Sequence, residues 1–172
     1  MPISWLIIGI GICIILLTLL GGIEAVIWMD VIQGILLIGG GLLCVGILLF
    51  RPEGGPGFML SEALTMKKID FGPYNFSLAE LTFWVMAING AFYALQKYGT
   101  DQTIVQRYLT AKDDKSAKKA AYIGVFMSLP VWTLFMLLGS LLFVFYSTGG
   151  AVLPEGMKAD EVFPYFIGTQ LP

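Results

Sequence analysis

Apolar positions gather into four long runs separated by polar connections, and each run predicts a helix long enough to cross a bilayer. The runs cover about 4–20, 31–50, 78–98 and 121–145. Around 20 consecutive apolar residues are needed for a transmembrane helix, and the stretches 1–23, 31–50 and 120–153 hold no Asp, Glu, Lys or Arg at all. The third run differs from the others. It carries Glu80, Asn89, Gln96 and Lys97 and leads directly into Gly99, Thr100, Asp101 and Gln102. Polar and ionisable groups inside a membrane segment are costly, and by default they mark a pathway or a site.

The punctuation between the runs is legible. Gly21-Gly22 closes the first, because glycine is the usual residue just past a helix end. Trp28, Met29 and Asp30 lead into the second, with Trp28 as an interfacial anchor and Asp30 placed as an N-cap or first-turn acid. The connection 51–77 is rich in Gly and Pro, with a short helix expected from Ser61 to Met66. Ser77, followed three residues later by Glu80, has the spacing of a capping box for the third run. Pro130 interrupts the fourth run, which membrane helices tolerate with a kink. A short amphipathic helix is expected from Lys158 to Ile167.

Charge then orients the elements. Of the ten Lys and Arg residues, five fall in 99–119: Arg107, Lys112, Lys115, Lys118 and Lys119. Basic residues in short loops favour the cytoplasmic side, so 99–119 is expected inside. Alternation places 21–30 inside as well, and 51–77, the N-terminus and the tail outside. The segment from Thr103 to Leu109 has the mixed periodicity of a short helix lying along the inner surface.

Composition agrees with this reading and removes several function classes. Of the 172 residues, 57% are hydrophobic and 13% charged, against about 25% charged in a typical soluble domain. The first run lacks a basic leader, so it reads as a true span rather than a secretory signal. The chain has no histidine, the commonest acid–base group and metal ligand. Cys13 and Cys44 each lie within a predicted span, which argues against a disulfide framework or a metal site. No nucleophile–base set or phosphate-binding glycine loop is present, so an enzyme is not indicated. The basic residues fit inner-loop charge bias, so nucleic acid is not an expected partner.

Three places carry candidate chemistry. Gln96, Lys97, Tyr98, Thr100, Asp101 and Gln102 form the densest polar cluster at a membrane boundary. A helix continuing through Gly99 spaces Lys97 and Asp101 to pair at i,i+4. A helix broken nearby exposes backbone groups that coordinate ions or polar solutes in discontinuous transporter helices. The plainer reading ends the span at Lys97, which snorkels to the interface. Asp30 and Gln33 lie one turn apart, and Asp30 is either a cap facing the cytoplasm or a cation ligand. Arg107 either faces lipid headgroups or closes a salt bridge with a partner that sequence does not reveal. The Gly39-Gly40-Gly41 run, with Gly46, permits close helix approach.

The segment Gly21-Gly22-Ile23-Glu24-Ala25-Val26-Ile27-Trp28-Met29-Asp30-Val31-Ile32-Gln33 resembles a signature of the sodium:solute symporter family, which includes sodium/glucose, proline and sialic acid transporters. Asp101-Gln102-Thr103-Ile104-Val105-Gln106-Arg107-Tyr108-Leu109 resembles the same family's Gln-x-x-x-Gln-Arg stretch. The likeness extends over essentially the whole chain and is nearest the bacterial sialic acid and sugar branch. It implies an all-α membrane protein whose four transmembrane helices are part of a five-plus-five inverted-repeat transporter fold. It further implies that Tyr98, Gln96, Lys97 and Ala94 border a solute cavity. By the same resemblance Asp30 is sodium-associated, and Gln33, Gln102 and Arg107 serve an inner gate or a structural role. Met29 stands where the family usually has threonine, and Ala94 where sugar-transporting members can have asparagine.

The resulting expectation is an internal section of a sodium-coupled symporter in the cell membrane, of multi-pass topology and in a bacterial inner membrane. It imports a small polar organic solute, sugar or sialic acid-like, by alternating access. Its partners are membrane lipid, sodium ion, the solute and the missing helices of the same transporter. Sodium is the coupling ion, with no cofactor and no other metal. The alternative of a different class is a four-span structural or accessory membrane subunit.

Overall fold

The computed structural model describes residues 3–70, 72–77, 79–149 and 151–171. Six α-helices account for most of them: α1 (Ile3–Phe50), α2 (Gly55–Thr65), α3 (Phe83–Leu95), α4 (Gln102–Leu109), α5 (Asp114–Ser147) and α6 (Val162–Gln170). A wider π turn, Gln96–Thr100, extends α3.

Among the described residues two helices, not four, have the length and apolarity to cross a membrane as single elements: α1 and α5. The difference lies mainly in α1, where the sequence pattern predicts two spans and a connecting turn. The structure has 48 helical residues interrupted at one point, Gly22, with φ 60° and ψ −159°. The glycine pair does break the helix, but helical geometry resumes immediately, so Asp30 lies inside α1 rather than at an N-cap. Only glycine adopts the Gly22 conformation without strain. Gly21 is equally constrained, since a Cβ there would lie 2.3 Å from the Ala25 Cβ. At about 1.5 Å per residue the helical part before Gly22 rises roughly 28 Å and the part after it roughly 42 Å, so each is of the order of the ~30 Å hydrocarbon layer.

The third run also differs from its pattern. Leu78, where that run opens, lies outside the described residues. Helix α3 starts at Phe83, capped by Thr82, whose hydroxyl accepts from the Val85 N–H at 3.4 Å. Ser77 and Glu80 therefore do not form the predicted capping box. Thr82 takes over because it is extended and fully buried, and its own hydroxyl donates to the Ser77 carbonyl at 3.2 Å. One hydroxyl thereby satisfies a helix-end donor and a loop acceptor. In the 51–77 connection the helix is longer than Ser61 to Met66. It begins at Gly55, with Pro56 in its first turn, where a missing N–H costs nothing. Helix α5 runs through Pro130 without interruption of its assigned helix. The tail helix forms at Val162–Gln170, slightly later than the pattern places it.

Packing is concentrated at one end. Leu48 of α1, Met59 and Ala63 of α2, Leu141 and Val144 of α5 and Phe166 of α6 are completely buried together. About two turns before Leu48, α1 and α5 approach closely at Gly41, where a Cβ would lie 3.1 Å from Leu134 Cδ2. Arg51, just past α1, donates to the Gln170 carbonyl at the end of α6, where a helix leaves acceptors unpaired. Lys68 sits 3.7 Å above the Phe143 ring, and its carbonyl accepts from Ser140 at 3.0 Å. By contrast, Ile3 through Leu20 has large apolar side chains exposed along its length. In α3, Tyr93 leans on Trp132 of α5, ring centroids 5.9 Å apart.

Candidate functional site

The polar end of the third run is built around a change of helical pitch. After Leu95 the backbone widens into the π turn, and the Asp101 N–H reaches the Gln96 carbonyl at 3.0 Å. Thr100 Oγ1 donates to the same carbonyl at 2.9 Å. Asp101 then adopts extended backbone, φ −67° and ψ 113°, and α4 begins at the next residue. Single π turns of this kind occur frequently at functional sites.

Asp101 ties the two helices together. Its Oδ2 accepts from Lys97 Nζ at 2.6 Å, the i,i+4 pair that the sequence spacing allows. Its Oδ1 accepts from the Thr103 N–H at 2.9 Å and the Thr103 hydroxyl at 2.5 Å, capping α4. The hydrogen bond from Lys97, followed by that from the Thr103 hydroxyl, holds the Asp101 carboxyl well below the usual carboxylate range. Asp101 therefore stays ionised, and its charge stands at the positive end of α4. Helix and break coexist: a π turn brings Lys97 to Asp101, and the chain changes course one residue later.

A second pair joins distant parts of the sequence. Arg107 Nη2, on α4, meets Asp30 Oδ2, inside the long α1. This supplies the partner that sequence alone did not show. It also means that the two motif segments, around Asp30 and around Arg107, are in direct contact. Both side chains are partly exposed, 42% for Arg107 and 39% for Asp30, while the Asp30 Oδ2 atom itself is shielded from solvent.

The other candidates are placed less closely. Lys97 and Tyr98 are half-buried, and Ala94 and Gln96 are exposed on the helix before them. Gln102 is the exposed first residue of α4, and Gln33 is exposed one turn beyond Asp30. Tyr108 lies on the inward side of α4, and burial raises its phenol above the usual value, with a smaller contribution from Tyr98. At the start of α5 the Asp113 carboxylate accepts from the Ser116 N–H at 2.6 Å. That backbone hydrogen bond holds the Asp113 carboxyl below the usual carboxylate range. Sequence reading did not single out Thr103 as a functional contact, although Asp-x-Thr at a helix start is a capping pattern.

Among the described residues, no three His, Cys, Asp or Glu side chains converge in a way that would hold a metal ion. Asp30 supplies one carboxylate, and a hard cation there would require further oxygen ligands.

This architecture has close counterparts. The sequence profile of the Sodium:solute symporter family matches residues 1–168. The chain belongs to that family, a family of membrane transporters. It is 33% identical over 170 residues to the sodium/sialic acid symporter SiaT of Proteus mirabilis, covering 97% of this chain and 34% of that protein. It is 32% identical over 168 residues to the sodium/sialic acid symporter NanT of Aliivibrio fischeri, covering 95% of this chain and 32% of the relative. The solved structure of a Na+-coupled sialic acid symporter, substrate-bound and outward-open, superposes with a TM-score of 0.78 at 30% identity. That superposition covers 88% of this chain and 32% of the other. The all-α fold is thus that of a sodium:solute symporter segment, and the chain spans about one third of the length of the relatives it matches.

Proposed function

We propose that this chain forms part of a sodium-coupled symporter that imports a small polar organic solute, of the sugar or sialic acid class, by alternating access. Membrane lipid, sodium and the solute are its partners, and it resides as a multi-pass protein in a bacterial inner membrane. The four apolar runs are its membrane crossings, with α1 contributing two on either side of Gly22. The length of α1 and the backbone break at Gly22 support that division. In this reading 99–119 faces the cytoplasm and 51–77 the outside.

The observation that carries the mechanism is the contact between Arg107 on α4 and Asp30 on α1. It links the inner amphipathic helix to the long membrane helix, while α4 is joined to the polar end of α3 through Asp101. A movement at the π turn therefore reaches Asp30 through α4, which is capped by Asp101 at its start and carries Arg107 in its last turn. Tyr98, Gln96, Lys97 and Ala94 form one wall of the solute cavity. Asp30 supplies a sodium-associated carboxylate, and Gln33, Gln102 and Arg107 belong to the inner gate. Coupling requires that sodium and solute each favour the same conformational state, which makes their effects on each other reciprocal.

The test is uptake by the intact transporter in proteoliposomes, with sialic acids, hexoses and monocarboxylates offered separately under an inward sodium or choline gradient. Concentrative uptake of one polar solute class only with sodium supports the proposal. Facilitated equilibration that is indifferent to sodium refutes it. Absence of uptake of every solute, with assembly of another complex depending on the chain, supports an accessory subunit instead.

A further inference from the structure

The inner end of α5 presents a surface that neither the family motifs nor the buried core explains. Lys115, Lys118 and Lys119 recur at i, i+3 and i+4, so they share one face of the helix. The same face continues at i+7, i+11 and i+14 with Tyr122, Phe126 and Leu129. All three lysines are exposed, and Tyr122, Phe126 and Leu129 retain 67%, 64% and 61% of their surface.

Local acids do not neutralise the lysines. Among the described residues none of the three takes part in an ion pair. Asp113 is engaged by the Ser116 N–H as the helix cap, and Asp114 lies about 100° around the helix from Lys115.

We propose that this face binds a single anionic phospholipid of the leaflet on the 99–119 side. The three ammonium groups take the phosphate and the anionic headgroup, Tyr122 lies at the level of the glycerol backbone, and one acyl chain runs along Phe126 and Leu129. The dimensions agree. From Lys119 to Leu129 the helix rises about 15 Å, which is half of the roughly 30 Å hydrocarbon layer. Tyrosine between a charged and an apolar zone is the residue expected at a membrane interface. The three lysines form no ion pair among the described residues, and an anionic headgroup supplies that counter-charge while its acyl chain covers Phe126 and Leu129. A zwitterionic lipid brings its own cation and satisfies them poorly. The proposal rests on the membrane location of the family and is independent of the solute and of the sodium assignment.

The experiment uses the intact transporter in nanodiscs of mixed phosphatidylglycerol and phosphatidylcholine, with retained lipid read by native mass spectrometry. Each basic residue near an anionic surface contributes about a fivefold preference. The K115Q/K118Q/K119Q variant should therefore lose at least about tenfold of the selectivity for phosphatidylglycerol, with unchanged helical circular dichroism. In parallel, a fluorophore on F126C should be quenched more strongly by brominated-chain phosphatidylglycerol than by the phosphatidylcholine equivalent, and inorganic phosphate should not relieve the difference. Equal phosphatidylglycerol retention by the variant overturns the proposal. So does a label quenched by neither lipid, which means a protein helix covers the face. Relief by inorganic phosphate also overturns it, marking a site for soluble anions.

Discussion

If the Asp30–Arg107 contact joins the inner helix to the membrane helix, the two residues must be energetically coupled, and the structure sets the scale. Two unit charges about 4 Å apart attract by roughly 1 kcal/mol in water and roughly 4 kcal/mol in a surface-like medium. Here both side chains keep about two fifths of their exposure, so screening and side-chain ordering remove most of that attraction. Exposed pairs measured by double-mutant cycles contribute about 0.2–1 kcal/mol. Shielding of Asp30 Oδ2 places this pair towards the upper end. The perturbation is a cycle of D30N, R107Q and the double variant in the intact transporter, followed by reversible unfolding in mixed micelles. A coupling of about 0.5–1 kcal/mol is expected, with the double variant less destabilised than the sum of the singles. Additivity within about 0.3 kcal/mol would refute the contact as an energetic link. In uptake, D30N should also weaken sodium dependence, and sodium activation unchanged from wild type removes Asp30 from ion handling.

Three further outcomes follow from particular contacts. Y98A in the intact transporter should raise the solute concentration needed for half-maximal uptake, whereas unchanged affinity and rate exclude Tyr98 from the cavity. T82A removes the buried cap of α3 and should cost about 1 kcal/mol in unfolding free energy; a stability equal to wild type would mean that the cap is dispensable. D101A should speed amide exchange at Thr103 several-fold. Because the folded-state pKa of Asp101 is shifted down, its contribution to stability is complete above the ordinary Asp value, near pH 4. That contribution declines as the pH falls further towards the folded-state value. Exchange protection of Thr103 that is already lost on going from pH 7 to pH 5 contradicts the Lys97–Asp101–Thr103 arrangement.

What could be read in advance divides along a physical line. The Lys97–Asp101 pair depends on a four-residue spacing and one helical turn, so local sequence carries it. The short helix after Asp101 has an amphipathic period and a capping acid, both local signals. The partner of Arg107 lies 77 positions earlier in the chain, and no periodicity encodes a contact at that separation. Local signals also misled where two candidates competed. Ser77 with Glu80 has the spacing of a capping box, yet Thr82 is extended, buried and hydrogen-bonded on both sides, so tertiary context selects it. Gly21-Gly22 has the local signal of a helix end followed by a connection over 21–30. The backbone departs from helix at Gly22 and resumes helical geometry immediately, so the break is one residue rather than a turn. The resemblance of two motifs gave the family and the expectation of a solute wall. That the two motifs touch, Arg107 against Asp30, is a property of the tertiary fold.

Sodium coupling itself is tested most directly by measuring the ion rather than the solute. Proteoliposomes containing the intact transporter are given radioactive sodium with and without a sialic acid or sugar substrate. Reciprocity of coupling requires that the solute accelerate sodium entry, just as sodium drives solute entry. Solute-stimulated sodium entry that is lost in D30N is the predicted result. Sodium entry that is indifferent to every solute, or solute entry that proceeds at full rate in choline, contradicts the account.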